Sequence, residues 1–164
     1  MLITVIGESK ATDQNYSIAE KVGALIARSG ATLVCGGLDG VMEAACKGAK
    51  SAGGSTIGIL PGLSKNEANQ WIDFPISTGL GDARNIVVVR TGFAVIAIGG
   101  AYGTLSEIGH ALGDNIPVIG LRTWNFDQEN LDNELFTVTQ SPSEAVNLAI
   151  QAAVKRDKLN QSIK

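Results

Sequence analysis

The sequence predicts one doubly wound α/β domain over residues 1–164, with a mostly parallel sheet and helices on both faces. Three observations predict it. Short runs of Val, Ile and Leu alternate with stretches whose apolar residues recur at helical spacing, as βαβ units require. Several of the strand-like runs are apolar throughout rather than alternating, which suits strands buried on both faces. Twenty of the 164 residues are glycine, ~12% against the ~7% of average usage. With aromatic residues at only 5%, the core must be built from Ala, Val, Ile and Leu. The glycines then point to tight turns and close backbone approach.

The elements follow in order. Leu2–Gly7 is a nearly continuous apolar run and forms the first strand. Ile18, Val22, Leu25 and Ile26 recur at helical spacing, and Gly30 stops that helix. Residues 31–35 form the second strand. Met42, Ala45, Cys46 and Ala49 mark a second helix that ends at Gly53-Gly54. Thr56–Leu60 is the third strand, broken by Pro61-Gly62. A polar loop over 63–75 carries Trp71, and 76–78 reads as a short strand. Residues 82–92, with Ile86-Val87-Val88-Val89, read as a helix with Asp82 as its N-cap, because a crossover must precede the strand Ala94–Ile98. Leu105, Ile108 and Leu112 describe another helix, 117–121 another strand, and the acidic stretch 125–134 a solvated loop. Ser141-Pro142-Ser143-Glu144 offers an N-cap serine, a first-turn proline and a reciprocating Glu. Val146, Ala149, Ile150, Ala153 and Val154 then form that helix's buried face, and Lys155, Arg156 and Lys158 complement its dipole. The sum is one Rossmann-like domain.

Composition excludes several classes. A chain of this length buries roughly two-thirds of its unfolded surface, so it needs no metal or disulfide staple. Thirteen Lys+Arg against sixteen Asp+Glu give a net charge of −3. There is no long basic run and no basic face of the kind duplex binders show, so no nucleic-acid partner is expected. Cys35, Cys46 and the single His110 do not complete a zinc set. The cysteines read as buried free thiols in a reducing cytoplasm, and no metal site is expected. The N-terminus lacks the basic region and cleavage site of a signal peptide. The most apolar stretch, 86–100, is interrupted by Arg90 and too short for a bilayer, so the chain reads as soluble and cytoplasmic, with no membrane partner.

Two segments echo each other: Gly36-Gly37-Leu38-Asp39-Gly40 and Gly99-Gly100-Ala101-Tyr102-Gly103 each follow a buried strand and open a helix. Glycines at a helix N-terminus let a phosphate approach unpaired N–H groups and the dipole. Neither loop is a G-x-G-x-x-G fingerprint or a P-loop. Each is open to a second reading, as tight strand–helix packing alone. Thr104 can offer a hydroxyl to a phosphate, with Glu107 three residues on; Glu107 can equally be a favourable charge near a helix start. Arg84, after the glycine-rich turn 79–81, can clamp phosphate or form a surface ion pair. Gly7 and Ser9 end the first strand on the same edge, where open parallel sheets bind ligands. His110 reads as a packed or solvent-facing histidine.

Together these pieces resemble a known superfamily. Gly99 to Glu107 resembles the Gly-Gly-x-Gly-Thr-x-x-Glu region of the Lonely Guy proteins, with one extra residue before Gly103-Thr104, and Gly36 to Met42 resembles their upstream Gly-Gly-x-x-Gly-Leu-Met segment. Gly81-Asp82-Ala83-Arg84-Asn85, Ile98 to Glu107 and Pro117-Val118-Ile119-Gly120-Leu121 resemble more closely the molybdenum cofactor carrier proteins and their DprA-related kin. That resemblance implies a homo-oligomeric carrier of the molybdenum cofactor, a pterin with a terminal phosphate, and molybdoenzymes or cofactor-synthesis proteins as partners. It implies Gly7, Ser9, Gly36, Gly37, Gly40, Arg84, Asn85, Gly99, Gly100, Gly103, Thr104 and Glu107 as cofactor-binding. The Lonely Guy alternative implies hydrolysis of a nucleoside 5′-monophosphate with Arg84 and Glu107 catalytic. Those enzymes carry Arg-Lys where this chain has Arg84-Asn85, and a proline where it has Ile98. A third reading is a nucleotide-sensing module without turnover. The apolar helix around Ile86–Val89 is a candidate interface between copies.

Overall fold

The first strand, β1 (Leu2–Gly7), lies at the centre of a seven-stranded sheet and divides the core into two layers. The computed structural model describes residues 1–126 and 135–162. Around β1 come α1 (Asp13–Arg28), β2 (Thr32–Cys35), α2 (Val41–Ser51), β3 (Thr56–Leu60) and β4 (Phe74–Ser77). They are followed by α3 (Asn85–Thr91), β5 (Ala94–Ile98), α4 (Tyr102–Gly113), β6 (Val118–Leu121), β7 (Phe136–Thr139) and α5 (Pro142–Ser162). The strand order is β4-β3-β2-β1-β5-β6-β7, and every pair is parallel. The chain winds outward from β1 to β4, crosses back through α3 to β5, and winds outward again to β7.

Alternation along the central strands assigns the faces. Ile3 and Val5 of β1, with Ala94, Ile96 and Ile98 of β5, face the layer of α1, α2 and α5. Ile6, Val95 and Ala97 face the layer of α3 and α4, through Val88, Val89, Ile108 and Ala111. Thr4 sits in that second layer without an orphaned hydroxyl, because its Oγ1 donates to the Val88 carbonyl at 3.2 Å. Helix α1 is capped by Thr12, whose hydroxyl accepts from the Asn15 amide at 3.2 Å.

Part of the glycine excess serves helix contact. A Cβ on Gly23 of α1 would lie 1.8 Å from the Ala45 carbonyl oxygen of α2, and one on Gly48 of α2 would lie 1.9 Å from that of Glu20. The two backbones therefore touch at both points. Cys35 and Cys46 are free, buried thiols with their sulfurs 3.4 Å apart. The hydrogen bond between them, together with burial, pushes the Cys46 thiol above its ordinary range.

Several expectations are corrected. Asp82 is not the N-cap of α3: residues 81–84 form a 3-10 turn, and the helix begins at Asn85 with no side-chain cap. The fourth strand starts at Phe74, so Pro75 lies inside it, which a sheet edge tolerates because one side of the strand has no ladder partner. The seventh strand is absent from the sequence reading, since four residues beside an acidic stretch carry too little pattern. Residues 127–134 of the expected acidic loop lie outside the described residues. Ser141 does cap α5, its hydroxyl 3.5 Å from the Glu144 amide. The reciprocal arm runs through Thr139 instead, whose hydroxyl donates to Glu144 and accepts from the Ser141 amide at 3.2 Å. Because α5 continues to Ser162, Lys155 and Lys158 are not in its last turn, and neither is Arg156. It donates instead to the Gly92 carbonyl at the end of α3, at 3.2 Å.

Candidate functional site

The winding direction reverses between β1 and β5, and the carboxyl ends of strands at such a switch point form a crevice between their loops. A cavity of about 230 Å³ lies there. Gly7, Glu8 and Ser9 line it from the loop after β1, and Ala101, Gly103, Thr104 and Glu107 from the start of α4. Asp82, Arg84 and Asn85 come from the turn into α3, with Leu38 and Met42 from the first glycine loop and α2.

Arg84 and Glu107 dominate its chemistry. They are 8% and 6% exposed, and Arg84 Nη1 lies 3.5 Å from Glu107 Oε1. The same nitrogen donates to Asn85 Oδ1 at 2.5 Å, while Arg84 Nε is buried without a partner. A buried donor left unpaired is unfavourable, so a ligand that accepts from it gains more than a surface contact would. Burial pushes the Glu107 carboxyl up to about 7, an effect the nearby Arg84 guanidinium only partly offsets. Below that pH the Arg84 guanidinium stands beside a neutral acid rather than a carboxylate. Helix α4 begins above this pair with no side-chain cap, leaving its first-turn amides for a ligand.

The glycines position these groups. A Cβ on Gly36 would stand 2.8 Å from Arg84 Nη2, so that glycine makes room for the guanidinium from behind. Gly40, with φ 67°, lets the loop after β1 rest on the start of α2: a Cβ there would lie 2.4 Å from the Glu8 carbonyl oxygen. That carbonyl accepts from the Val41 amide at 3.0 Å. The Asn69 side chain fixes the first loop, donating to the carbonyls of Gly37 and Leu38 at 3.2 and 2.9 Å.

Of the residues expected to bind a ligand, the cavity brings together Gly7, Ser9, Arg84, Asn85, Gly103, Thr104 and Glu107. Gly36, Gly37, Gly40, Gly99 and Gly100 are not on its wall. The two glycine loops are therefore not equivalent cradles. The Gly37 amide is bonded to Cys35 Sγ at 3.3 Å. The Gly100 amide is bonded to Glu8 Oε2 at 3.1 Å, and Asn15 Nδ2 donates to Glu8 Oε1 at 2.7 Å. Glu8 was legible only as a neighbour of Ser9; no spacing signals that a carboxylate after β1 reaches the loop after β5. Leu38, Met42 and Ala101 carry no chemical signal in the sequence, and the position of Asp82 signals only a cap. His110 lies exposed on α4 and lines none of this.

A larger depression of about 520 Å³ runs along α1 past Glu20, Lys21 and Arg28 to Pro142. It includes no strand end and no glycine loop, so the smaller cavity is the candidate site.

Fold and cavity together define a doubly wound α/β protein with a pocket at its switch point that holds a buried guanidinium. The chain belongs to the SLOG cluster4 family, whose model matches residues 1–154. It is 43% identical over 155 residues to an uncharacterised protein of Archaeoglobus fulgidus, covering 94% of this chain and 98% of that one. Its structure is similar to that of the molybdenum cofactor binding protein from Rippkaea orientalis, with TM-score 0.86 and 40% identity over 93% of this chain and 96% of that one. The molybdenum cofactor carrier protein from Chlamydomonas reinhardtii matches with TM-score 0.85 and 35% identity, over 93% and 98%. Among the described residues no helix is long and apolar enough to cross a membrane.

Proposed function

We propose that this protein binds the molybdenum cofactor through its terminal phosphate in the Arg84–Glu107 cavity, and stores or carries it without turnover. The observation that carries the reading is the buried Arg84 guanidinium with an unpaired Nε, set below the uncapped start of α4. The phosphate accepts from Arg84 and from the first-turn amides, with Thr104 and Ser9 supplying hydroxyls and Asn85 holding the guanidinium in place. The cofactor is cargo here, and its own chemistry is not used. The likeness to two proteins named for binding or carrying this cofactor supports the reading over its rival. In the same reading the protein works in the cytoplasm as a homo-oligomer, with molybdoenzymes or cofactor-synthesis proteins taking or giving the cargo.

One test is retention of the cofactor on gel filtration by the parent chain and its loss in Arg84→Ala. If the parent fails to retain it while other phosphates raise the Tm, the cargo is wrong and the anion site stands. The second reading, N-glycosidic hydrolysis of a nucleoside monophosphate, is favoured by a Glu107 carboxyl poised near pH 7, where proton transfer is efficient. Release of ribose 5-phosphate from AMP that disappears in Glu107→Gln would establish it and exclude a pure carrier.

A further inference from the structure

At about 230 Å³ the Arg84 cavity is smaller than the ~300–1,000 Å³ of sites that enclose a whole small ligand. It takes a phosphate and the atoms next to it, and the remainder must lie elsewhere. A second cavity of about 260 Å³ opens across the Gly99–Gly100 loop, lined by those glycines with Arg122, Thr123 and Trp124. Resting on the phosphate reading above, we infer that this second cavity is the subsite for a planar, hydrogen-bonding heterocycle carried by the same ligand, a purine or a pterin.

Four observations support it independently of the Arg84 cavity. The Trp124 indole lies against the loop, where a Cβ on Gly100 would meet its Nε1 at 2.7 Å. Its ring centroid is 6.3 Å from that of Tyr102, which is 83% exposed, so a second aromatic ring stands next to the indole that lines the cavity. Aromatic faces stack planar rings where nucleobases bind. Thr123 Oγ1 is buried with no partner, beside Gly100. Arg122 adopts a left-handed backbone with φ 55°, a strained conformation for a residue with a side chain. Its Nε donates to Asn15 Oδ1 at 3.3 Å, and Asn15 in turn holds Glu8. Among the described residues no side chain is bonded to its two terminal nitrogens. A cavity lined by a cation, an orphan hydroxyl and an indole suits recognition of ring carbonyl and nitrogen acceptors. Glu8 takes the Gly100 amide, so this subsite is built for a ring edge rather than a second phosphate.

The experiment uses the full chain with Trp71→Phe, which leaves Trp124 as its single tryptophan. Tryptophan fluorescence and Tm are followed while AMP, a phosphorylated pterin, ribose 5-phosphate or inorganic phosphate is added. At least one ring-bearing compound is expected to quench Trp124, and which one does so distinguishes purine from pterin. Ribose 5-phosphate and phosphate raise the Tm without quenching. Arg122→Gly relieves the left-handed strain as it removes the guanidinium, so its Tm holds. It binds the quenching compound about tenfold more weakly and ribose 5-phosphate within about twofold of the parent. The subsite is overturned, with the phosphate site intact, if the ring-bearing compounds raise the Tm without quenching or bind Arg122→Gly as tightly as the parent. If none of the four shifts Tm or fluorescence, the phosphate reading falls and takes the subsite with it. Calorimetric titration of the otherwise unaltered chain against Arg122→Gly gives the same comparison should Trp71→Phe not fold.

Discussion

Replacing Glu107 by Gln gives the sharpest test of how the cavity is charged. In the folded protein the Glu107 carboxyl ionises at about 7, against an ordinary value of 4.5. Between those limits the native state holds a proton that the unfolded chain has released, so stability falls as pH rises from about 4.5 towards 7. At ~1.4 kcal/mol per pH unit the full loss is roughly 3 kcal/mol, complete above pH 7. Glutamine is a neutral stand-in for the protonated acid and escapes this loss. Glu107→Gln and the parent should therefore unfold at nearly the same urea concentration at pH 4.5. The variant should gain progressively, reaching about 3 kcal/mol at pH 8. Comparing the two proteins cancels the titration of other groups. Urea unfolding followed by circular dichroism at pH 4.5, 6 and 8 measures the gap. A difference independent of pH, or one favouring the parent at pH 8, refutes the reasoning: Arg84 would then outweigh burial and hold Glu107 as an ordinary ion pair.

Two further substitutions separate the site from the scaffold. Gly36→Ala places a methyl 2.8 Å from Arg84 Nη2 and equally close to Met42 Sδ, both ends of flexible side chains. It should lower stability by only about 1 kcal/mol in urea unfolding, yet weaken phosphate-induced stabilisation severalfold because the guanidinium moves. Gly23→Ala meets the rigid Ala45 carbonyl at 1.8 Å instead. It should lower stability by about 3 kcal/mol despite alanine's better helix propensity, and a net gain in Tm would show that α1 and α2 are not in backbone contact.

Sequence and structure divide the explanation along physical lines. The strands were legible where the pattern was long: β1, β3 and β5 are buried on both faces, so their runs are almost wholly apolar. The edges were less so, because β4 holds a proline and exposes Phe74, and β7 is four residues long. Ile86–Val89 is ambiguous by composition alone, and topology made it a helix, since β4 and β5 run parallel in one sheet and the chain between them must cross over. Arg84, Thr104 and Glu107 were legible as candidates because they follow glycine-rich turns or strand ends, and the structure shows that Arg84 and Glu107 are buried together rather than at the surface. Glu8 was not, because its partner Gly100 is 92 residues away in the chain.

The sequence by itself determined the α/β class, the strand ends that carry glycine, and the charged and hydroxyl residues beside them, since these depend on local pattern and chemistry. Only the tertiary structure decided which of those glycines line the cavity. Gly23 and Gly48 join helices, Gly36 and Gly40 make space behind the cavity, and Gly100 binds Glu8. It also decided that Glu107 ionises near 7, because desolvation depends on what surrounds a carboxyl and not on its neighbours in the chain.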